Sequence, residues 1–193
     1  MNIERIVQEL KKGNIVIIPT DTVYGIIADA MNKSAIKKVY DAKKRDYNKP
    51  FILYVSNKKM LENYTDELSV LENEIINKYT PGKLTIILNK NDKIIDLISK
   101  DTVGIRIPDN SELIEIINKI GNPLITTSAN ISSHETITNV DMIEKELLDK
   151  ISYIEDGGEV IAKPSTIVKV ESNKIIFLRE GDLAEQIKKD YNI

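Results

Sequence analysis

The chain has no cysteine. Disulfides, thiolate metal sites and cysteine nucleophiles are thereby excluded, and the composition suits a reducing cytoplasm. Its single histidine, His134, lies in a polar stretch and is expected at the surface. A histidine-based triad and a multi-histidine metal site are therefore both out of reach. Aromatic residues make up only 5% and the net charge is -3, so there is little to stack on bases and no bulk attraction for nucleic acid. Apolar runs stop at four or five residues, far short of a membrane span. No Gly-x-Gly-x-x-Gly occurs, and Pro81-Gly82-Lys83-Leu84 lacks the upstream glycine of a P-loop. Glu4 and Glu9 in a helical pattern at the N-terminus are unlike a signal peptide.

What is there is a chain of 193 residues with 41% apolar content and charges of both signs. That is enough for one compact domain, expected over residues 1–193, and it argues against disorder. Helical and strand patterns alternate. Ile3, Ile6, Val7 and Leu10 recur at helical spacing ahead of Gly13, and Leu113, Ile116, Ile117 and Ile120 do so ahead of Gly121. Ala35, Ile36, Val39 and Tyr40 make another amphipathic helix, and Ser69 with Glu72 reads as a capping box for a helix to about Tyr79. Further helices are expected over 139–149 and from Leu183. Strands are expected over 14–18, 51–55, 84–88, 102–107, 123–126, 151–155, 166–170 and 174–178. Ser172-Asn173 between the last two suggests a hairpin, hence a mixed sheet in an α/β fold.

The polar groups gather where strands end. Pro19-Thr20-Asp21-Thr22-Val23-Tyr24-Gly25 follows Ile15–Ile18 and packs hydroxyls, a carboxylate, a phenol and a glycine into one turn, a density that suggests a site. Lys43-Lys44-Arg45-Asp46-Tyr47-Asn48-Lys49-Pro50 reads either as cations complementing a helix C-terminus or as a polyphosphate clamp. Ser128 and Asn130 reach one ligand if the segment stays extended, or else form a cap or turn. Lys163-Pro164-Ser165-Thr166 after Gly157-Gly158 is a lid or a plain loop. Arg106, inside the apolar Val103–Pro108, needs either a buried carboxylate or an anionic ligand, and Arg179 is comparable. A hydroxyl-rich, cationic set of this kind suits an anionic substrate held by position and charge.

Taken in order, these segments resemble the YrdC/TsaC family of threonylcarbamoyl-AMP synthases over nearly the whole chain. The matching stretches are Pro19 to Gly25, Lys43-x-Arg45 with Pro50, Pro81-Gly82-x-Leu84-Thr85, Val103-x-Ile105-Arg106-x-Pro108, Ser128-x-Asn130, Gly157-Gly158, Ser165 to Val168, and Leu178-Arg179-x-Gly181. The resemblance implies a twisted mixed sheet, parallel and antiparallel, flanked by helices, with a concave, positively lined cleft. It implies joining of L-threonine, bicarbonate or carbon dioxide, and ATP into threonylcarbamoyl-AMP and pyrophosphate, with Mg²⁺ on the polyphosphate. A downstream transferase complex would then modify tRNA. By the same resemblance, Lys43, Arg45, Thr102, Ser128, Asn130 and Arg179 serve ATP, with Lys43 and Arg45 as the catalytic cations. Thr22, Arg106 and Ser165 hold L-threonine, Arg106 as the fork for its carboxylate. No Mg²⁺ ligand is identified.

The chain departs from the family pattern at Lys83, where a proline is usual, at Asn110, where a histidine is frequent, and at Ser133, where a glycine is usual. Lys49 and Tyr54 stand where some relatives place asparagine and histidine. Two other readings use the same residues: a non-catalytic RNA-binding module, and a carbamoyl-transfer module like that of hydrogenase-maturation proteins, whose acylphosphatase and zinc-binding segments are absent here.

Overall fold

Ile15 and Ile17 face one core and Val16 and Ile18 another, which is why this stretch is apolar throughout instead of alternating. In the computed structural model, which describes residues 1–160 and 163–193, the run forms β1 (Val16–Pro19). The other strands are β2 (Tyr24–Asp29), β3 (Ile52–Tyr54), β4 (Leu84–Asn89), β5 (Thr102–Arg106), β6 (Leu124–Ser128), β7 (Tyr153–Ile154), β8 (Thr166–Glu171) and β9 (Lys174–Arg179). They make one nine-stranded sheet in the order β7-β1-β2-β6-β3-β5-β4-β8-β9. The pairs β1–β7, β3–β5 and β4–β8 are parallel and the rest antiparallel. This is the mixed sheet expected.

Among the described residues seven α-helices flank it: α1 (Ile3–Lys11), α2 (Lys33–Lys43), α3 (Lys58–Glu62), α4 (Val70–Tyr79), α5 (Ser111–Ile120), α6 (Lys145–Leu148) and α7 (Ala184–Tyr191). On one face Ile6, Val7 and Leu10 of α1 and Leu113, Ile116 and Ile117 of α5 pack on Val16, Ile18, Ile27 and Leu124. Truncating one such buried isoleucine to alanine costs about 2–5 kcal/mol. The opposite face carries the larger core, with α2, α4 and α7. The Ser69–Glu72 capping box is present, and Gly121 closes α5 at φ 79°.

Three elements differ from the sequence reading. The turn reading covered only Tyr24 and Gly25 of β2, and no strand was expected over 26–29. Its first residues follow the polar segment directly and include Gly25, a weak strand former, so pairing with β1 and β6 on both sides makes the strand. The helix expected over 139–149 is broken into a 3-10 turn, Val140–Met142, and the four-residue α6. Extended backbone at Ile143 and Glu144 lets Ile143 and Leu147 both enter the larger core. α3 was not anticipated; Asn57 starts it by accepting the Met60 amide at 2.9 Å. Among the described residues no helix is long and apolar enough to cross a membrane.

Candidate active site

Thr20 to Val23 is the tight connection of the β1–β2 hairpin, in which Pro19 pairs with Tyr24. The Thr20 hydroxyl organises it, accepting the Thr22 and Val23 amides at 3.2 Å each and donating to the Val23 carbonyl at 2.7 Å. A threonine replaces backbone partners in this way without needing positive φ. The turn leaves Thr22 and Asp21 beside the end of β5, where Arg106 is 2% exposed.

Arg106 is held on all sides. Its Nη2 donates to Asp21 Oδ2 at 2.6 Å, its Nε to the Gly82 carbonyl at 3.1 Å, and its Nη1 to the Thr22 hydroxyl and the Tyr54 phenol at 3.3 Å each. Of the two partners expected for this buried arginine, the structure therefore supplies the carboxylate, and Asp21 takes up the charge. Tyr54 lies opposite Arg106 across the β3–β5 pair, and burial raises its phenol above the ordinary range.

Strand register carries the site across one face of the sheet. Thr126 is paired with Ile52, Tyr54 with Arg106, and Gly25 with Ser128, so these positions share a face. Together they border a cavity of about 300 Å³, which Thr22, Arg45, Ser165 and Arg179 also line. Arg45, Arg106 and Arg179 are its charged residues, and among the described residues no carboxylate lines it. Ser165 is fixed by the Thr85 hydroxyl at 2.8 Å and by Arg179, whose Nε and Nη2 donate to its carbonyl and hydroxyl at 2.9 and 3.0 Å. Gly181 makes that approach possible, since a Cβ there would stand 2.3 Å from the Pro164 carbonyl oxygen. Arg45 bridges the Lys49 and Pro50 carbonyls at 3.2 and 2.7 Å and lies 4.9 Å from the centre of the Phe51 ring.

The cavity thus brings together Thr22, Arg45, Arg106, Ser128, Ser165 and Arg179. It does not bring in three others. Lys43 is 1% exposed behind the wall, with its ammonium spent on the Ser128 carbonyl and on Asn130, so it is not the ligand-facing cation expected. The Asn130 amide is likewise consumed: its oxygen accepts from the Ser128 hydroxyl and Lys43, and its nitrogen donates to the Ile131 and His134 carbonyls. The segment turns after Ser128 instead of continuing extended, with the Asn130 backbone N–H donating to the Ser128 carbonyl at 3.0 Å. Thr102 opens β5 and lines a neighbouring depression of about 260 Å³ with Tyr47 and Asn48; Pro50 borders both hollows.

Thr126 was missed as a site residue by sequence reasoning. Its buried hydroxyl has no hydrogen-bond partner among the described residues and stands at the cavity wall. Period-two spacing from Ser128 was the signal available. Tyr24 links the hairpin to the glycine pair, accepting from the Gly157 amide at 2.9 Å and donating to the Gly158 carbonyl at 2.7 Å. The departures acquire structural meanings. Lys83 pairs with Asp182 at 2.8 Å, Asn110 caps α5, and Ser133 adopts φ 73°, the left-handed conformation that favours glycine.

Comparison with known proteins gives a consistent picture. The model of the Sua5/YciO/YrdC family, described as telomere recombination, matches residues 8–181. A putative threonylcarbamoyl-AMP synthase of Methanocaldococcus jannaschii is 47% identical over 93% of this chain and 85% of its own length. The threonylcarbamoyl-AMP synthase of Bacillus subtilis is 32% identical over 92% of this chain, which spans only 52% of that relative. The crystal structure of Sua5 from P. abyssi complexed with L-threonine superposes with a TM-score of 0.90 at 30% identity, covering 97% of this chain and 56% of that one.

Proposed function

The chain belongs to the Sua5/YciO/YrdC family, and from that premise we propose that it is an L-threonylcarbamoyladenylate synthase, with residues 1–193 acting as one domain. Its substrates are L-threonine, bicarbonate or carbon dioxide, and ATP. The neutral threonine amine adds to carbon dioxide, forming an N–C bond and losing a proton to give a carbamate. A carbamate oxygen attacks the α-phosphorus of ATP, the bond to the bridging oxygen breaks, and pyrophosphate leaves. The mixed anhydride formed is a substrate for a downstream transferase complex that modifies tRNA.

The observation that carries this reading is a cavity with three arginines, Arg45, Arg106 and Arg179, among hydroxyls and with no carboxylate on its described wall. Such a site holds two anions together and offsets charge at the phosphoryl centre. Arg106, four of whose five N–H groups are already engaged, meets the amino-acid carboxylate with its remaining Nη2 N–H, beside Thr22, Ser165 and the Thr126 hydroxyl. Arg45 and Arg179 meet the polyphosphate near Ser128. The nucleoside extends past Pro50 toward Thr102.

Mg²⁺ fits this arrangement only as a companion of the nucleotide. No group of three or more His, Asp or Glu side chains able to hold a metal occurs among the described residues. The ion would keep phosphate oxygens and water as ligands, as it commonly does, and when bound it would neutralise polyphosphate charge. Incubation with ATP, labelled bicarbonate and L-threonine is expected to release pyrophosphate and labelled threonylcarbamoyl-AMP together. Pyrophosphate release that does not depend on threonine would sink the assignment.

A further inference from the structure

Among the described residues that line the cavity, Ile52 is the one aliphatic side chain contributed by a strand; Val23, Pro50 and Pro164 stand outside the strands. Ile52 is half-buried on β3, paired on one side with Thr126 of β6 and on the other with Gly104 of β5. Gly104 shapes this part of the floor. A Cβ there would stand 3.2 Å from Ile87 Cδ1, 3.3 Å from Thr85 Cγ2 and 3.5 Å from Ile52 Cγ1, so three hydrocarbon ends close over the bare strand. Thr85 turns its hydroxyl to Ser165 at 2.8 Å, and Arg106 lies two residues further along β5 on the same face. The apolar patch is thus bordered by Thr126, Ser165 and Arg106, the groups assigned above to the amino acid.

Threonine carries a hydroxyl and a methyl on one carbon. Directly opposed residues of an antiparallel pair hold their Cβ atoms about 5 Å apart, so a ligand carbon seated over the Ile52–Thr126 pair can set one substituent against each. The two residues are unlike: Thr126 has a buried hydroxyl without a partner among the described residues, and Ile52 has only hydrocarbon. We propose that Ile52 is a specificity-determining residue: its side chain, backed by the floor over Gly104, receives the β-methyl of L-threonine and so separates it from L-serine and from L-allo-threonine. This inference rests on the synthase reading above and names what selects the amino acid within that site.

One methyl group in an apolar pocket separates two substrates by about 10- to 200-fold. Serine leaves the place over Ile52 without a partner atom and loses those contacts outright. L-allo-threonine is the sharper case, because its atoms are the same and only their arrangement at the β-carbon differs. With carboxylate and amine held, it brings its methyl to the Thr126 hydroxyl and its own hydroxyl to Ile52, which leaves both hydroxyls unpaired. Bulk hydrophobicity does not distinguish that isomer from threonine; a methyl seat at a fixed place does.

The test measures kcat/KM by pyrophosphate release, at saturating ATP and bicarbonate, for L-threonine, L-serine and L-allo-threonine. Wild type, Ile52→Val, Ile52→Ala and Val23→Ala are compared. Wild type is expected to prefer threonine over each of the others by at least about tenfold. In Ile52→Ala both preferences should fall about tenfold, through loss on threonine, with the value for serine within about threefold of wild type. Ile52→Val should lie between, and Val23→Ala should keep the wild-type ratios within about twofold. A variant that is partly unfolded loses activity on all three amino acids alike, so its ratios do not move, and the wild-type ratios need no variant at all. Wild type without threonine-dependent turnover overturns the synthase reading and this inference with it. Turnover with wild-type preferences below about threefold, preferences that survive Ile52→Ala, or preferences lost in Val23→Ala instead overturn this inference alone.

Discussion

Among the described residues two side-chain cations, Arg106 and Lys43, lie almost wholly buried, and they are accommodated by different means. Arg106, at the end of β5, has a carboxylate: Asp21 is 2.6 Å from its Nη2, with Thr22, Tyr54 and Gly82 on the remaining edges. Lys43, at the end of α2, has carbonyl and amide oxygens and no acid. A guanidinium suits the first setting because its planar fork meets several partners in fixed directions. An ammonium suits the second because three oxygens converging on one point match its tetrahedral donors. The difference separates two tasks. The Arg106 charge is largely compensated before any ligand arrives, so what it offers an amino acid is direction. The Lys43 ammonium is met by carbonyl and amide dipoles alone, behind the cavity wall.

The largest expected effect comes from breaking the compensated pair. Arg106→Met strands the Asp21 carboxylate inside the wall and should cost about 3–5 kcal/mol by urea unfolding, with the KM for L-threonine rising about a hundredfold. A loss below about 1 kcal/mol would show that the pair supports little. Asp21→Asn keeps the shape and removes only the charge. About 2 kcal/mol of stability should go, and the KM for L-threonine should change far less than in Arg106→Met. Equal effects would mean that Asp21 contributes more than a counterion. Arg45, half-buried and held by two carbonyls and the Phe51 ring, is the least enclosed case. Arg45→Ala should cost about 1 kcal/mol in stability while raising the KM for ATP about tenfold or more. A larger rise in the KM for threonine would reverse the assignment of the two anions to the two arginines.

Much of this was legible before any coordinates. The helices with clean apolar spacing and terminal glycines or caps, such as α1, α4 and α5, lie where their patterns place them, because the signals are local. β2 was not legible, since Gly25 hides a strand that only its neighbours on both sides create. The broken stretch before Tyr153 was misread because two residues, Ile143 and Leu147, are drawn into the core through an extended link that periodicity cannot reveal. In the site, Arg106 could be recognised as needing an anion, yet nothing along the chain indicates that Asp21, 85 positions away, provides it. Lys43 shows the reverse limit. A cation beside Arg45 reads as ligand-facing, and only the packing of the 128–130 turn around it shows that its ammonium is taken up there.

The β8–β9 hairpin closes through Ser172 and Asn173, at φ 51° and 58°, at the end of the strands away from Thr166 and Arg179. Six residues of strand put that turn about 20 Å from the cavity rim. Because the natural chain contains no thiol, exposed Lys174 can be exchanged for a cysteine that is chemically unique. A fluorophore or a surface tether attached there would report on, or immobilise, the protein from a point that no substrate has to pass.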